Sequence, residues 1–360
     1  MKLSIISIQI LRAFAALLVV FHHARYQIPE FEVFFYGGVW PFGQAGVDIF
    51  FVISGFIMWV TTHDRRTTPL QFMTNRIVRI VPLYWLMTLA VAAACLIMPS
   101  QFRGVVLTPE HVVKSLFFIP DFYPGMPSRI WPLLLPGWTL NYEMAFYLVF
   151  AGALLLPRRL MIPLIGSLFT TAVAAGFIFD FDSAVGMFYT ESIIMEFVAG
   201  MMLGHLWLHG RLKVPPLPAL AAIPAAFVAL IALTPFSVPQ TRLLVWGVPA
   251  VLIVTAGLSL ELRGRFISSR FLKLMGDASY SIYLTHILTL GVLRTAWKRL
   301  GLVEQDLVSA CIFLAASIAV SILVGIAVYY VVEVPLMRLF RRVRSGGRAA
   351  TPIAAGAAGG

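Results

Sequence analysis

Apolar residues fall in blocks of about twenty along this chain, separated by short polar or Pro- and Gly-rich breaks, and a hydrocarbon core needs about that many per helix. On this measure ten stretches are expected to form membrane-spanning helices: 4–24, 44–62, 77–98, 138–156, 161–179, 190–209, 218–234, 243–260, 279–297 and 307–331. Pro41, Pro99, Pro136 with Gly137, Pro157, Pro215 with Pro216, Pro235 and Pro239 mark the breaks. Pro224 and Pro249 fall inside spans, where a helical bundle accommodates the kink. The pattern predicts an all-α polytopic integral membrane protein with about ten transmembrane helices.

Composition sharpens this. Hydrophobic residues are 60% and charged residues 12%, against roughly 25% charged in soluble domains, which excludes an ordinary soluble enzyme. The net charge of +11 does not point to nucleic acid, because no basic run is interleaved with a foldable soluble module. It reads as a topology signal instead. With the N-terminus in the cytoplasm, most of the 27 basic residues fall on the inner side, among them Lys2, Arg65, Arg66, Arg158, Arg159, Arg211, Arg263 and Arg338. The acidic residues Glu30, Glu32, Glu110, Asp121, Asp180, Asp182, Glu304 and Asp306 fall outside, so both termini are expected in the cytoplasm.

The first span follows Lys2 and imitates a secretory signal, but Arg12 at its middle and the lack of an A-x-A-like cleavage site after the apolar stretch argue that it stays in the membrane. Cys95 and Cys311 lie in apolar stretches and supply neither a disulfide framework nor metal spacing; no metal site is expected. Residues 1–340 read as one membrane domain. Residues 341–360, basic and then Ala/Gly-rich, read as a disordered cytoplasmic tail. In the long outer loop 99–137, residues 110–119 are expected to form a short helix, lying on the surface or re-entering.

Ionisable groups inside a membrane cost about 2.5–3.5 kcal/mol each, which makes them candidates for function. In ILRAFAALLVVFHH, Arg12 and His23 are eleven residues apart, about 20° from eclipsed and about 16 Å apart along the axis. His22 points elsewhere. Either the histidines are interfacial anchors, or His23 is a general base with Arg12 deeper in the same cavity. In GVDIFFVISGF, Asp48 is placed either to orient His23 or to favour the helix dipole, and Ser54 with Gly55 allows close helix contact. Arg76 and Arg79 make a forked pair suited to phosphate, or ordinary positive-inside anchors.

The fourth span opens PGWTLNYEMAFYLVF. Glu143 with Trp138, Asn141, Tyr142 and Tyr147 forms a polar aromatic cluster able to stack on a sugar ring, and Glu143 and Tyr147 share a face as i and i+4. The ninth span is introduced by LMGDASYSIYLTH, where Ser279, Tyr280, Ser281, Tyr283 and His286 form a polar stripe suited to a cavity wall. Glu333, just before Pro335, reads as a salt-bridge partner of neighbouring arginines. Glu196, His205 and His209 lie outside any wider motif and read as structural.

With these residues in view, the chain resembles the acyltransferase-3 family of integral-membrane acyltransferases, and its start, IQILRAFAALLVVFHHAR, is most similar to the rhizobial exopolysaccharide acetyltransferases. The resemblance spans about residues 4–340 and rests on five motifs in order: Arg12 with His23, Asp48 with Ser54, Arg76 with Arg79, WTLNYEMAFY with Glu143, and GDASYSIYLTH. It implies a bacterial cytoplasmic (inner) membrane O-acetyltransferase that moves an acetyl group from cytoplasmic acetyl-CoA to a hydroxyl of an exopolysaccharide, another surface glycan or a lipid-linked precursor. Several members carry a fused extracytoplasmic esterase-like domain. The short tail here implies direct passage of the acyl group to the acceptor.

The expected catalytic residues are His23 as base or acyl carrier, Arg12 at the thioester carbonyl, and Asp48 or Glu143 orienting His23 or the sugar. Arg76, Arg79 and Ser54 are expected to bind the donor. Trp138, Asn141, Tyr142, Tyr147, Ser281 and His286 are expected to bind the acceptor. Partners would be the glycan or lipid-linked sugar, membrane lipids and polysaccharide synthesis machinery, with no nucleic acid. A transporter or flippase is the rival from another class, and the lack of an internal repeat counts against it. A membrane scaffold for a polysaccharide synthase is the second rival.

Overall fold

Each of the ten apolar stretches contains a helix. In the computed structural model, which describes residues 5–28, 40–63, 67–99, 102, 104–302 and 306–346, the chain starts with α1 (Ile6–Arg25), α2 (Ala45–Thr61), α3 (Pro69–Ile97) and the short α4 (Pro109–Leu116). It continues through α5 (Gly137–Ala153), α6 (Arg158–Ile178), α7 (Ala184–Tyr189), α8 (Met195–Leu208) and α9 (Pro216–Leu233). The last are α10 (Val248–Leu262), α11 (Arg270–Asp277), α12 (Ser279–Arg299), α13 (Leu307–Val328) and α14 (Val334–Gly346). Of the expected disordered tail 341–360, residues 341–346 instead continue α14, and residues 347–360 lie outside the described residues, as do the charges at Lys2, Glu30, Glu32, Arg65, Arg66 and Glu304.

Among the described residues seven helices are long and apolar enough to cross a membrane: Ile6–Arg25, Pro41–Thr61, Pro69–Ile97, Arg158–Ile178, Pro216–Phe236, Leu243–Leu262 and Leu307–Phe340. The other three expected spans depart for local reasons. Gly137–Ala153 and Met195–Leu208 are short, and Ser279–Arg299 is lowered in apolarity by its polar stripe.

Local chemistry sets several boundaries. The third helix starts eight residues before the apolar stretch because Thr68 and Gln71 form a capping box, with Pro69 in the first turn where no N–H is needed. Asp306 and Ser309 cap α13 in the same way. Wide π turns at Leu243–Gly247 and Tyr329–Glu333 each end two residues before a proline, Pro249 and Pro335. A proline has no N–H to donate and its ring crowds the carbonyl four residues back, so the widened turn relieves that conflict.

The buried centre is α2, paired with α8 by backbone contact. A Cβ at Gly55 would lie 2.0 Å from the Phe197 carbonyl oxygen, and one at Gly200 would lie 2.0 Å from that of Val52. Only glycine on both sides permits this crossing. Outer helices turn large apolar side chains outward, with Phe177 62% and Leu323 66% exposed. Such surfaces on long apolar helices meet lipid, and the chain is a multi-pass membrane protein.

The loop 99–137 forms a lobe. The expected helix there is α4, docked on the third helix where Tyr84 donates to the Ser115 carbonyl at 2.8 Å and Trp85 to that of Leu116 at 2.8 Å. A two-stranded antiparallel ladder, β1 (Phe122–Tyr123) with β2 (Met126–Ile130), follows it and was not anticipated. Lys114 donates to Glu110 and Asp121, and these hydrogen bonds hold its pKa above the ordinary lysine value.

Candidate active site

One cavity of about 160 Å³ lies among α1, α2, α3, α5 and α12, roughly five water volumes of space. Its wall on α2 runs from Val47 to Met58, twelve residues spanning about 16 Å of helix. Six expected site residues line it: Arg12, Ser54, Arg76, Arg79, Glu143 and Tyr147.

Glu143 is the hub of the polar wall. Ser54 Oγ donates to Glu143 Oε1 at 2.8 Å, and Tyr147, one turn along α5, donates to the same oxygen. Thr139, Glu143 and Tyr147 form an i, i+4, i+8 stripe, which explains how one face of α5 lines the cavity. Arg12 reaches the cavity with no ion-pair partner among the described residues, so its guanidinium stands open to a substrate oxygen.

The two arginines of the R-x-x-R pair both line the cavity but are not equivalent. Arg79 is ion-paired to Glu333, whose second oxygen accepts from Ser281 Oγ at 2.5 Å. Arg76 lies against the rings of Phe72 and Tyr147, 5.8 and 5.9 Å away, and its buried Nε has no partner. The expected fork is therefore corrected: Arg79 is committed to a buried carboxylate, and Arg76 is the open cation. Glu333 pairs across 254 positions rather than with neighbouring arginines. Ser281 is likewise corrected from a substrate contact to a buried donor to Glu333. Three arginines face one lining glutamate, with Glu333 neutralising Arg79, so an excess positive charge remains for an anionic ligand.

At the end of the cavity away from these arginines, the Tyr283 hydroxyl lies 2.9 Å from Thr139 Oγ1 and donates to the Pro136 carbonyl at 3.0 Å, and Phe50 packs on the Tyr283 ring at 5.9 Å. One turn further along α12 is His286, about 4.5 Å on, and it meets His23: His286 Nε2 lies 3.2 Å from His23 Nδ1. His23 is half-buried and His286 fully buried, and neither lines the cavity. His286 is thus corrected from a sugar contact to a partner of His23.

Asp48 is also placed differently from the expectation. Its carboxylate accepts from Arg242 at 2.9 and 3.2 Å, a bidentate pair, and a neutral imidazole cannot compete with a guanidinium for a fully buried carboxylate. Arg242 also lies over Trp246 at 4.7 Å and Trp138 at 5.6 Å. Glu196 completes this cluster: it is fully buried, and a Cβ at Gly247 would lie 2.9 Å from its Oε1. The sugar-stacking cluster is reduced as well. Tyr142 donates to the Phe188 carbonyl at 2.8 Å and stacks on that ring at 3.9 Å, while Asn141 is buried; neither lines the cavity.

Sequence reasoning missed Gln9, Thr139 and Arg242. Gln9 lies three residues before Arg12 and so shares its face, a signal lost by counting only ionisable groups. Thr139 was visible as i−4 from Glu143. Nothing local to Arg242 announces its pairing with Asp48, 194 positions away.

A many-helix membrane protein with a charged internal cavity is the class this architecture defines. The family profile described as an acyltransferase domain matches residues 5–326, and the chain belongs to the acyltransferase-3 family and is an O-acyltransferase. It is 45% identical to the exopolysaccharide production protein ExoZ of Rhizobium meliloti over 312 residues, covering 86% of this chain and 95% of that protein. It is 27% identical to the acyltransferase MdmB of Streptomyces mycarofaciens, covering 86% and 85%. It is 26% identical to the peptidoglycan O-acetyltransferase OatA of Listeria monocytogenes, covering 78% of this chain and 48% of that protein. No solved structure matches the chain.

Proposed function

We propose that this protein transfers an acetyl group from acetyl-CoA, on the cytoplasmic side of a bacterial inner membrane, to a hydroxyl of an exopolysaccharide, another surface glycan or its lipid-linked precursor. In this reading all ten long helical stretches cross the bilayer and both termini are cytoplasmic, so Arg76 and Arg79 mark the inner end of the cavity and His23 the outer end. The likeness to an exopolysaccharide production protein supports a glycan acceptor and neighbouring synthesis machinery. The carrying observation is that Arg76, Glu143 and Arg12 line one cavity that also reaches Tyr283, one helical turn before His286 and its partner His23.

The donor fits this cavity by charge and shape. Arg76, with its unpartnered Nε, suits the phosphate end, and the about 16 Å wall suits a linear arm carrying the thioester outward. His23 takes the proton from the acceptor hydroxyl as that oxygen attacks the thioester carbonyl. Arg12 or a neighbouring dipole stabilises the carbonyl oxygen as it gains charge, and the departing thiolate recovers the proton from His23, so the reaction is proton-neutral. Tyr283 and Phe50 stand between the cavity and His23 and must move aside for the two substrates to meet.

The test is transfer of labelled acetyl by purified protein to glycan acceptor, comparing wild type, His22→Ala and His23→Ala. Loss in His23→Ala alone is expected. Full activity in His23→Ala removes the base assignment, and no acetyl transfer by wild type to any glycan removes the acceptor class.

A further inference from the structure

The hydrogen bonds around His23 define which of its nitrogens carries the proton. A carbonyl oxygen only accepts, so a ring nitrogen facing one carries hydrogen. His286 Nδ1 lies 2.5 Å from the Tyr283 carbonyl oxygen and therefore bears the proton of that neutral ring, which leaves Nε2 with a bare lone pair. That lone pair points at His23 Nδ1, 3.2 Å away. His23 Nδ1 also faces the Val19 carbonyl, at 2.9 Å, so it too bears hydrogen and is shared between two acceptors. By elimination His23 Nε2 is the bare nitrogen.

We infer that His286 is the positioning residue of the His23 base: its Nε2 accepts the Nδ1 proton of His23 and locks the ring in the tautomer whose free Nε2 faces the acceptor hydroxyl. The inference rests on the proposed role of His23. A carboxylate usually fills this place in base dyads. Here Asp48 is taken by Arg242 and Glu143 by Ser54 and Tyr147, and a second imidazole stands in. Its neutrality suits the site. An imidazole can accept Nδ1–H without placing another charge in a fully buried position.

The arrangement explains an otherwise costly group. His286 is fully buried on α12, and both of its nitrogens are matched, one to its own helix and one to α1. When His23 Nε2 takes the acceptor proton, the positive charge on His23 is met by the His286 lone pair and the Val19 carbonyl. The charge then passes to the thiolate when the proton does, and nothing is left on the pair after turnover.

Two substitutions separate positioning from packing. His286→Gln places an amide oxygen near the position of Nε2 and keeps an acceptor. His286→Met keeps length and volume and removes it. Nitrogen NMR of histidine-labelled protein in nanodiscs, without donor or acceptor, reads the tautomer directly. The expected spectrum has His23 Nε2 pyridine-like and Nδ1 pyrrole-like in wild type and His286→Gln, with a minor Nε2-protonated form appearing in His286→Met, where the Val19 carbonyl still accepts from Nδ1. With acetyl-CoA and glycan, kcat is expected to fall about tenfold or more in His286→Met, below the about 10⁴ of a serine-protease histidine held in the wrong tautomer, because Val19 still accepts. KM for acetyl-CoA should not move, and His286→Gln should recover most of kcat. A protonated His23 Nε2 in wild type, an unchanged tautomer in His286→Met, or an unchanged kcat in that variant overturns the inference. The tautomer measurement needs no turnover, so a failure of the proposed transfer reaction shows separately, as absence of wild-type activity.

Discussion

Ser54 Oγ and Glu143 Oε1 are 2.8 Å apart and join α2 to α5 across the wall of the cavity. Glu143 also accepts from Tyr147, so a single carboxylate oxygen gathers two hydroxyls beside Arg12 and Arg76. Glu143→Gln keeps the shape and both acceptor contacts while removing the negative charge. Its kcat for acetyl transfer is expected to fall about 100-fold, and Ser54→Ala about tenfold, with little change in melting temperature. Wild-type kcat in Glu143→Gln would reduce the hub to packing.

Arg76 and Arg79 should separate cleanly by experiment. Arg79→Ala strands the buried Glu333 carboxylate, at a cost of about 3–5 kcal/mol, and a large drop in melting temperature is expected. Adding Glu333→Gln should restore much of it. Arg76→Ala has no such partner to strand; it is expected to raise KM for acetyl-CoA about tenfold or more and leave the melt unchanged. Equal effects on KM from both single substitutions would return them to the symmetrical fork read from the sequence.

Arg242 stands between two buried carboxylates, and its removal is expected to be structural. Arg242→Met leaves Asp48 without its bidentate partner, and thermal unfolding in detergent should shift strongly downward. Asp48→Asn in the same chain should recover part of the loss. If instead Asp48→Asn alone left the melt intact and abolished kcat, Asp48 would be acting on chemistry after all.

Tyr283 closes the cavity toward His23 with one hydroxyl and a ring contact from Phe50. Tyr283→Ala is expected to admit water from the outer side, so release of free CoA without any glycan should rise several-fold as coupled transfer falls. Release of free CoA at the wild-type rate would place the barrier elsewhere.

The helices were legible because spans obey a length and apolarity rule that a single stretch satisfies by itself. Arg12, Ser54, Arg76, Glu143 and Tyr147 were legible as cavity groups because a membrane charges so much for polar side chains that few remain without a role. Their partners were not. Asp48 with Arg242, Arg79 with Glu333 and His23 with His286 are pairs from distant helices, and no local spacing encodes which helix lies beside which. The ladder at Phe122–Tyr123 and Met126–Ile130 escaped for another reason: Pro127 and the polar residues around it give no alternating pattern to read.

Gly55 is the residue after Ser54, and the two face different neighbours: one meets the Phe197 carbonyl of α8, the other the cavity. Rolling α2 to reshape the cavity would drive the Phe197 carbonyl into Gly55 and the Val52 carbonyl into Gly200, where the backbones already lie in contact. That helix therefore behaves as a fixed rail. In the proposed reaction the way from the cavity to His23 is therefore opened by the Tyr283 side chain of α12, while Ser54 keeps its place.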